Sequence, residues 1–221
     1  MDSSRPDRLT ALQRDLLTAF FARERRWFLT GGAALAGFYF GHRGTEGLDF
    51  FSPPGPLLEE AAGALRGAAE SLGGTVEAAI TSPDFRRCIV HRGDETCIVA
   101  LVIDRAPMVD RDKLERGVVR IDTLREISAN KLCTVLGRAE LKDLVDLKLL
   151  LPEGTDLSRA LADAESKDAG ADPATLAWLL REISIGPRAV LPGGVDPVEL
   201  DAFRRDLVRR LDEIAFERAR K

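Results

Sequence analysis

Sulfur and histidine are scarce in this chain. Its 221 residues include three cysteines and two histidines. Cys88, Cys97 and Cys133 are an odd number, and none stands at C-x-x-C spacing, so neither a disulfide framework nor a thiolate metal site is expected. They read as buried, reduced thiols. His42 and His91 are isolated from one another, and neither is assigned to catalysis. No apolar run is long enough for a signal peptide or a membrane span, from which a cytoplasmic location with no membrane partner is expected. Excess positive charge is missing too. Thirty-two basic against 36 acidic residues give a net charge of −4, so no overall field draws the chain to nucleic acid or to an anionic membrane. Internal repeats and low-complexity tracts are absent. What is present is a hydrophobic content of 45%, sufficient for a sizeable core.

The most informative stretch runs from Arg26 to Phe51. Trp27 to Leu29 is a short apolar run stopped by Gly31 and Gly32, and residues 33–40 are small and apolar at helical spacing. A strand, a glycine bend and a helix are expected. Paired glycines allow close approach of the backbone, and a helix that starts there points unpaired N–H groups and its positive dipole end into the bend. Phosphate suits such a place, although the same residues serve equally as a plain tight turn. The next strand, Leu48 to Phe51, carries one acid, Asp49, inside an apolar run. A lone carboxylate there needs a cation or a hydrogen-bond donor.

Elsewhere the chain alternates in type. Residues 7–25 read as an amphipathic helix packing on the sheet, and 57–72 as a second helix stopped by Gly73-Gly74. Residues 75–81, 87–92 and 96–104 read as strands, the last two a hairpin turning at Gly93-Asp94. Residues 118–121 form a short strand or extended link. Thr123 with Glu126 has the spacing of a capping box opening a helix over 124–136, with Asp122 an alternative cap, and a further helix is expected over 140–151. From residue 157 onward the pattern is helical, with Pro173 and Pro197 at helix starts. The whole is an α/β (α+β) chain: a mixed sheet of about five strands with flanking helices, and a helical C-terminal region. Two domains are expected, 1–121 and 122–221.

The segment from Phe28 to Phe51 resembles the first motif of the AbiEii/AbiGii-type toxin nucleotidyltransferases, within the DNA polymerase beta-like superfamily. In that family a strand ending in Gly-Gly is followed by a helix, then His-Arg, a small hydroxyl residue, and Asp-x-Asp on the next strand. Gly31, Gly32, His42, Arg43, Thr45 and Asp49 match; Gly47 stands where the first acid belongs. A second match lies in Lys131, Arg138, Lys142, Asp143 and Asp146, which resemble the family's lysine motif. Read from the residues alone, Asp143 and Asp146 are i and i+3 on a helix and could hold Lys131 or Lys142, or they are ordinary surface charges.

The resemblance implies a nucleotidyltransferase-type fold, Mg²⁺-dependent transfer from a nucleoside triphosphate, and the toxin role of a type IV toxin–antitoxin or abortive-infection system. It implies an antitoxin partner and an RNA or protein acceptor. It places Asp49 and Lys131 in catalysis, Asp49 on the metal, and Gly31, Gly32, Thr45, Lys131, Lys142, Asp143 and Asp146 around the nucleotide. The family's third acid lies in a Val-Asp-Leu-Val-like run, and here Val99-Ala100-Leu101-Val102 puts Ala100 in its place. Asp104 is on the same strand face but about 13 Å further along at ~3.3 Å per residue, and Glu46 is the other acid nearby. With Gly47 and Ala100 in place of acids, impaired transfer is expected. The alternative is a catalytically inactive module of the same fold that binds a nucleotide or a partner.

Overall fold

Strand register is what brings the key residues of the N-terminal half together. The structure is a computed structural model, and it describes residues 7–138 and 140–220. The outermost residues of the expected domains, 1–6 and 221, and Ala139 of the lysine motif lie outside the described residues. The chain forms two units, one of residues 1–105 with 112–123, the other of 106–111 with 124–221.

The first unit is a seven-stranded mixed sheet with helices. Its strands are β1 (Phe28–Thr30), β2 (Gly47–Ser52), β3 (Thr75–Ser82), β4 (Phe85–Arg92), β5 (Glu95–Ile103), β6 (Leu114–Arg116) and β7 (Val119–Ile121). Their spatial order is β3-β4-β5-β2-β1-β7-β6. β2 and β5 run parallel, as do β1 and β7; the other pairs are antiparallel. Two strands more than expected are present, because the link over 118–121 is β7, and it folds back on the three-residue β6 around Gly117.

Helix α1 (Ala11–Phe21) begins with a capping box: Thr10 Oγ1 accepts the Gln13 N–H at 3.2 Å, and Gln13 Oε1 accepts that of Thr10 at 2.9 Å. It supplies core residues, for the Phe20 ring stacks on Phe50 of β2 at 4.3 Å and Phe21 meets Phe50 edge-on. Leu48, Phe50 and Ser52 are buried and alternate with the half-buried Gly47, Asp49 and Phe51. Asp49 therefore points away from the core face by the two-residue period of a strand. After β1 the chain enters α2 (Gly31–Ala34), which passes directly into a π-helical turn, Leu35–Tyr39. The helix expected over 33–40 is thus one continuous helical segment that starts at the glycines. Helix α3 (Leu58–Ser71) ends where Gly73, at φ +72°, and Gly74 return their N–H groups to Glu70 and Ala69.

The second unit is helical: α4 (Leu124–Gly137), α5 (Leu141–Leu150), α6 (Leu157–Lys167), α7 (Pro173–Glu182) and α8 (Pro197–Ala219). Asp172 and Asp196 cap α7 and α8, accepting N–H groups of the first turn, with proline in the position whose own N–H would go unused. Segment 106–111 is tied to this unit by Glu126, which accepts the Asp110 N–H at 2.7 Å, and by Lys167, which donates to the Pro107 carbonyl at 2.9 Å. Lys167 and Glu126 are themselves a buried ion pair. Among the described residues no helix is long and apolar enough to cross a membrane.

Candidate functional site

Two consecutive glycines give the bend after β1 its character. Gly31 has φ +65°, a left-handed conformation costly for any other residue, and a Cβ on it would lie 3.0 Å from Asp49 Oδ2. A Cβ on Gly32 would lie 2.8 Å from Arg43 Nη2. The bend therefore packs bare backbone against a carboxylate on one side and a guanidinium on the other. Arg43 is buried and donates to the Gly44 carbonyl at 3.0 Å. Thr45 turns its hydroxyl to the Gly47 carbonyl at 3.2 Å, and its own carbonyl accepts from Gln13 Nε2 at 2.8 Å.

Register then fixes the neighbours of Asp49. Thr30 on β1 is its partner on one side, and Ala100 on β5 on the other. Ala100 thus stands in the position adjoining Asp49 where a second carboxylate would meet it across the strands. Gly47, two residues back on the same face, pairs with Ile98, and a Cβ on Gly47 would lie 2.6 Å from the Ile98 carbonyl oxygen. That strand end is too tight for a side chain without a backbone shift. Asp104 follows the end of β5 and donates its N–H to the Ser52 carbonyl at 2.8 Å. It lies four residues beyond Ala100, about 13 Å along the strand. Glu46 is exposed, just ahead of β2.

One acid near this row escaped the sequence reading, which took Asp122 for a helix cap. Its carboxylate is fully buried; Oδ1 is 2.7 Å from Lys113 Nζ, and Oδ2 accepts the Thr30 hydroxyl at 2.8 Å. Finding it would have required the β1–β7 pairing, for which the three-residue strands leave almost no pattern. Among the described residues no group of three histidine, cysteine or acidic side chains could hold a metal ion. With Ala100 and Gly47 beside Asp49, and Asp122 engaged by Lys113, the residues present do not fit a two-metal carboxylate centre.

In the helical unit the lysine motif is closed on itself. Lys131 Nζ lies 2.6 Å from Asp143 Oδ1 and 2.7 Å from Asp146 Oδ2, and the three side chains are at most 7% exposed. Spacing of i and i+3 on α5 puts both acids on the face that meets α4. Arg138, half-exposed, adds its Nε 3.3 Å from Asp143 Oδ2, so two cations offset two acids. Lys142 takes no part. It pairs with Glu140 at 2.6 Å near the surface, and the Lys142 ammonium holds the Glu140 carboxyl below the usual carboxylate range. An open groove of about 760 Å³ runs beside Arg138 and Lys142, with Leu136, Leu141, Leu179 and Ile183 in its walls.

The sequence model of the nucleotidyl transferase AbiEii toxin family, described as a type IV toxin–antitoxin system, matches residues 14–221. No similar sequence is found among curated proteins. Among solved structures, JHP933 from Helicobacter pylori superposes with a TM-score of 0.57 at 19% identity, covering 93% of each chain. MenT4, a nucleotidyltransferase toxin of Mycobacterium tuberculosis, gives a TM-score of 0.53 at 14% identity over 90% of this chain and 80% of that one. Likenesses at such identities establish the nucleotidyltransferase fold.

Proposed function

The chain belongs to the AbiEii nucleotidyl transferase toxin family, and from that premise we propose that it binds a nucleoside triphosphate at the Gly31–Gly32 bend and transfers the nucleotidyl group poorly. The observation that carries this reading is the row Thr30, Asp49, Ala100, in which register pairs the remaining acid with an alanine. Binding and transfer make different demands. A triphosphate needs approachable backbone N–H groups and a cation. The bend supplies glycine backbone whose N–H groups the Thr30 side chain does not cap, with the Arg43 guanidinium packed over Gly32. Thr45 adjoins this bend in the family's motif. Transfer demands that charge on the departing pyrophosphate be offset and the acceptor hydroxyl be deprotonated, and in the family's pattern the acids missing here hold the metals for both.

Mg²⁺ would therefore reach this protein on the triphosphate, with Asp49 as its protein carboxylate. Lys131, Asp143 and Asp146 act in this reading as a fixed charged unit. Lys142, paired with Glu140 near the surface, stays outside that unit. The family role supports an antitoxin partner, and the acceptor is an RNA end or a protein hydroxyl.

Calorimetric titration with GTP, ATP, CTP and UTP, each with and without Mg²⁺, tests the binding half. Heat from at least one nucleotide, reduced in Gly32→Ala, is the expected result; no heat from any of the four removes the reading. Incubation with labelled nucleotide and total tRNA tests the other half. Slow transfer lost in Asp49→Ala is expected, whereas no transfer alongside nucleotide binding selects the inactive binding module.

A further inference from the structure

A buried ion pair occupies the far side of the glycine bend, where stability alone does not account for it. Lys113 Nζ and Asp122 Oδ1 are 2.7 Å apart with side chains 2% and 0% exposed, and the ammonium also lies 4.4 Å from the centre of the Phe28 ring. Removing two charges from water is costly enough that well-packed apolar side chains usually serve a core as well or better. The pair is also specifically placed. Asp122 donates its N–H to the Leu29 carbonyl at 2.9 Å, and its own carbonyl accepts the Tyr39 hydroxyl at 2.5 Å. Its backbone is thereby held from both ends of the segment that contains the bend.

Thr30 is what the carboxylate grips. A threonine in this position, the N-cap of α2, normally turns its hydroxyl inward to accept an N–H of the first helical turn. Here it makes no such bond and donates instead to Asp122 Oδ2 at 2.8 Å. Thr30 is at once the register partner of Asp49 and the residue before Gly31, whose backbone packs on the Asp49 carboxylate. Fixing Thr30 thus fixes the strand end from which the bend leaves, and with it the surface against which Asp49 rests.

We propose that Asp122, paired in the interior with Lys113, is a positioning residue: through Thr30 it sets the Gly31 bend against Asp49. This deepens the nucleotide reading above and rests on it for its consequence, since a displaced bend would present neither its N–H groups nor Asp49 correctly. Asp122 does not touch the ligand in this account; it acts through Thr30.

The test compares Thr30→Val, which keeps the shape and deletes the hydroxyl, with Thr30→Ser, which keeps the hydroxyl. A Lys113→Met/Asp122→Ala double variant removes both charges, so that neither is left buried and unpaired, and covers the case in which a single charge deletion fails to fold. Two quantities are read at neutral pH: the carboxyl-carbon resonance of Asp49, and affinity for the nucleotide that the wild-type protein binds best. In Thr30→Val and in the double variant the Asp49 resonance moves and affinity falls about ten-fold, the effect of one well-placed hydrogen bond, while Thr30→Ser stays within about two-fold of wild type. A purely structural role would lower the unfolding temperature and leave both quantities of the folded protein alone. An unmoved Asp49 resonance in both disrupted variants overturns the proposal, as does unchanged affinity where the resonance moves. If the wild-type protein binds none of the four nucleotides, a moved resonance upholds the positioning and removes the nucleotide reading instead.

Discussion

The glycine bend of the sheet unit and the lysine cluster of the helical unit each place charged side chains by opposite means. At Gly31 and Gly32 position comes from what is missing: without Cβ atoms the backbone comes up against Asp49 and Arg43. At Lys131 position comes from charge itself, one buried ammonium bridging two carboxylates on the next helix. Crowding makes the first arrangement sensitive to added volume, whereas the second responds to any loss of charge.

The largest expected effect follows from the second. Lys131→Met leaves Asp143 and Asp146 facing each other in the interior, and should cost about 3–5 kcal/mol of unfolding free energy in a urea titration. Adding Asp143→Asn and Asp146→Asn should recover most of it, and a Lys131→Met protein of wild-type stability would end the contrast. In the bend, Gly31→Ala combines a left-handed backbone with a Cβ 3.0 Å from Asp49 Oδ2. A loss of about 2 kcal/mol is expected. Gly32→Ala should cost under about 1 kcal/mol, because the atom in its way is the far end of a flexible arginine. Equal losses at the two glycines would show that crowding by Asp49 is not what distinguishes them.

The two replaced acids sharpen the contrast further. Gly47→Asp must push a Cβ into the Ile98 carbonyl and should destabilise by about 1–3 kcal/mol whether or not metal is present. Ala100→Asp sets a second carboxylate beside Asp49 at a position only 8% exposed, so a loss of about 1–3 kcal/mol is expected. Mg²⁺ should reverse that loss in a thermal melt, and leave the wild-type melt unchanged. The smallest effect is spectroscopic. Burial and the nearby Asp122 carboxylate push the phenol of Tyr39, the chain's one tyrosine, up to about 12. Because the folded value lies above the ordinary one, the neutral phenol stabilises the fold at lower pH, and that contribution is lost as pH rises through about 12. Tyrosinate absorbance should accordingly lag behind that of the unfolded chain.

Much of this was legible in the residues because local chemistry dictated it. Gly31-Gly32 after an apolar run, and Asp49 alternating with Leu48 and Phe50, specify a bend and a one-sided strand with no knowledge of neighbours. Spacing put Asp143 and Asp146 on one helix face. What resisted reading depends on contacts distant in sequence. Asp122 and Thr30 are 92 residues apart, joined by strands of three residues each, too short for alternation to register. Lys142 was as plausible a partner for the α5 acids as Lys131, but Lys131 of α4 takes both and Lys142 pairs with Glu140. Gly47 was recognisable as a departure from the family's pattern, but not as a place with no room for a side chain. That depends on the Ile98 carbonyl of a strand that comes 51 residues later by number and adjoins it only through the parallel β2–β5 register.

The proposed function holds that transfer is weak because Asp49 has an alanine for its strand partner. Side-by-side rates of label transfer from NTP to total tRNA, for the wild-type protein and for Ala100→Asp with Mg²⁺, test it most directly. A rate at least about ten-fold higher in Ala100→Asp, equivalent to ~1.4 kcal/mol of barrier, is the predicted result. Brisk transfer by the wild-type protein that Ala100→Asp leaves unchanged or slows would contradict it.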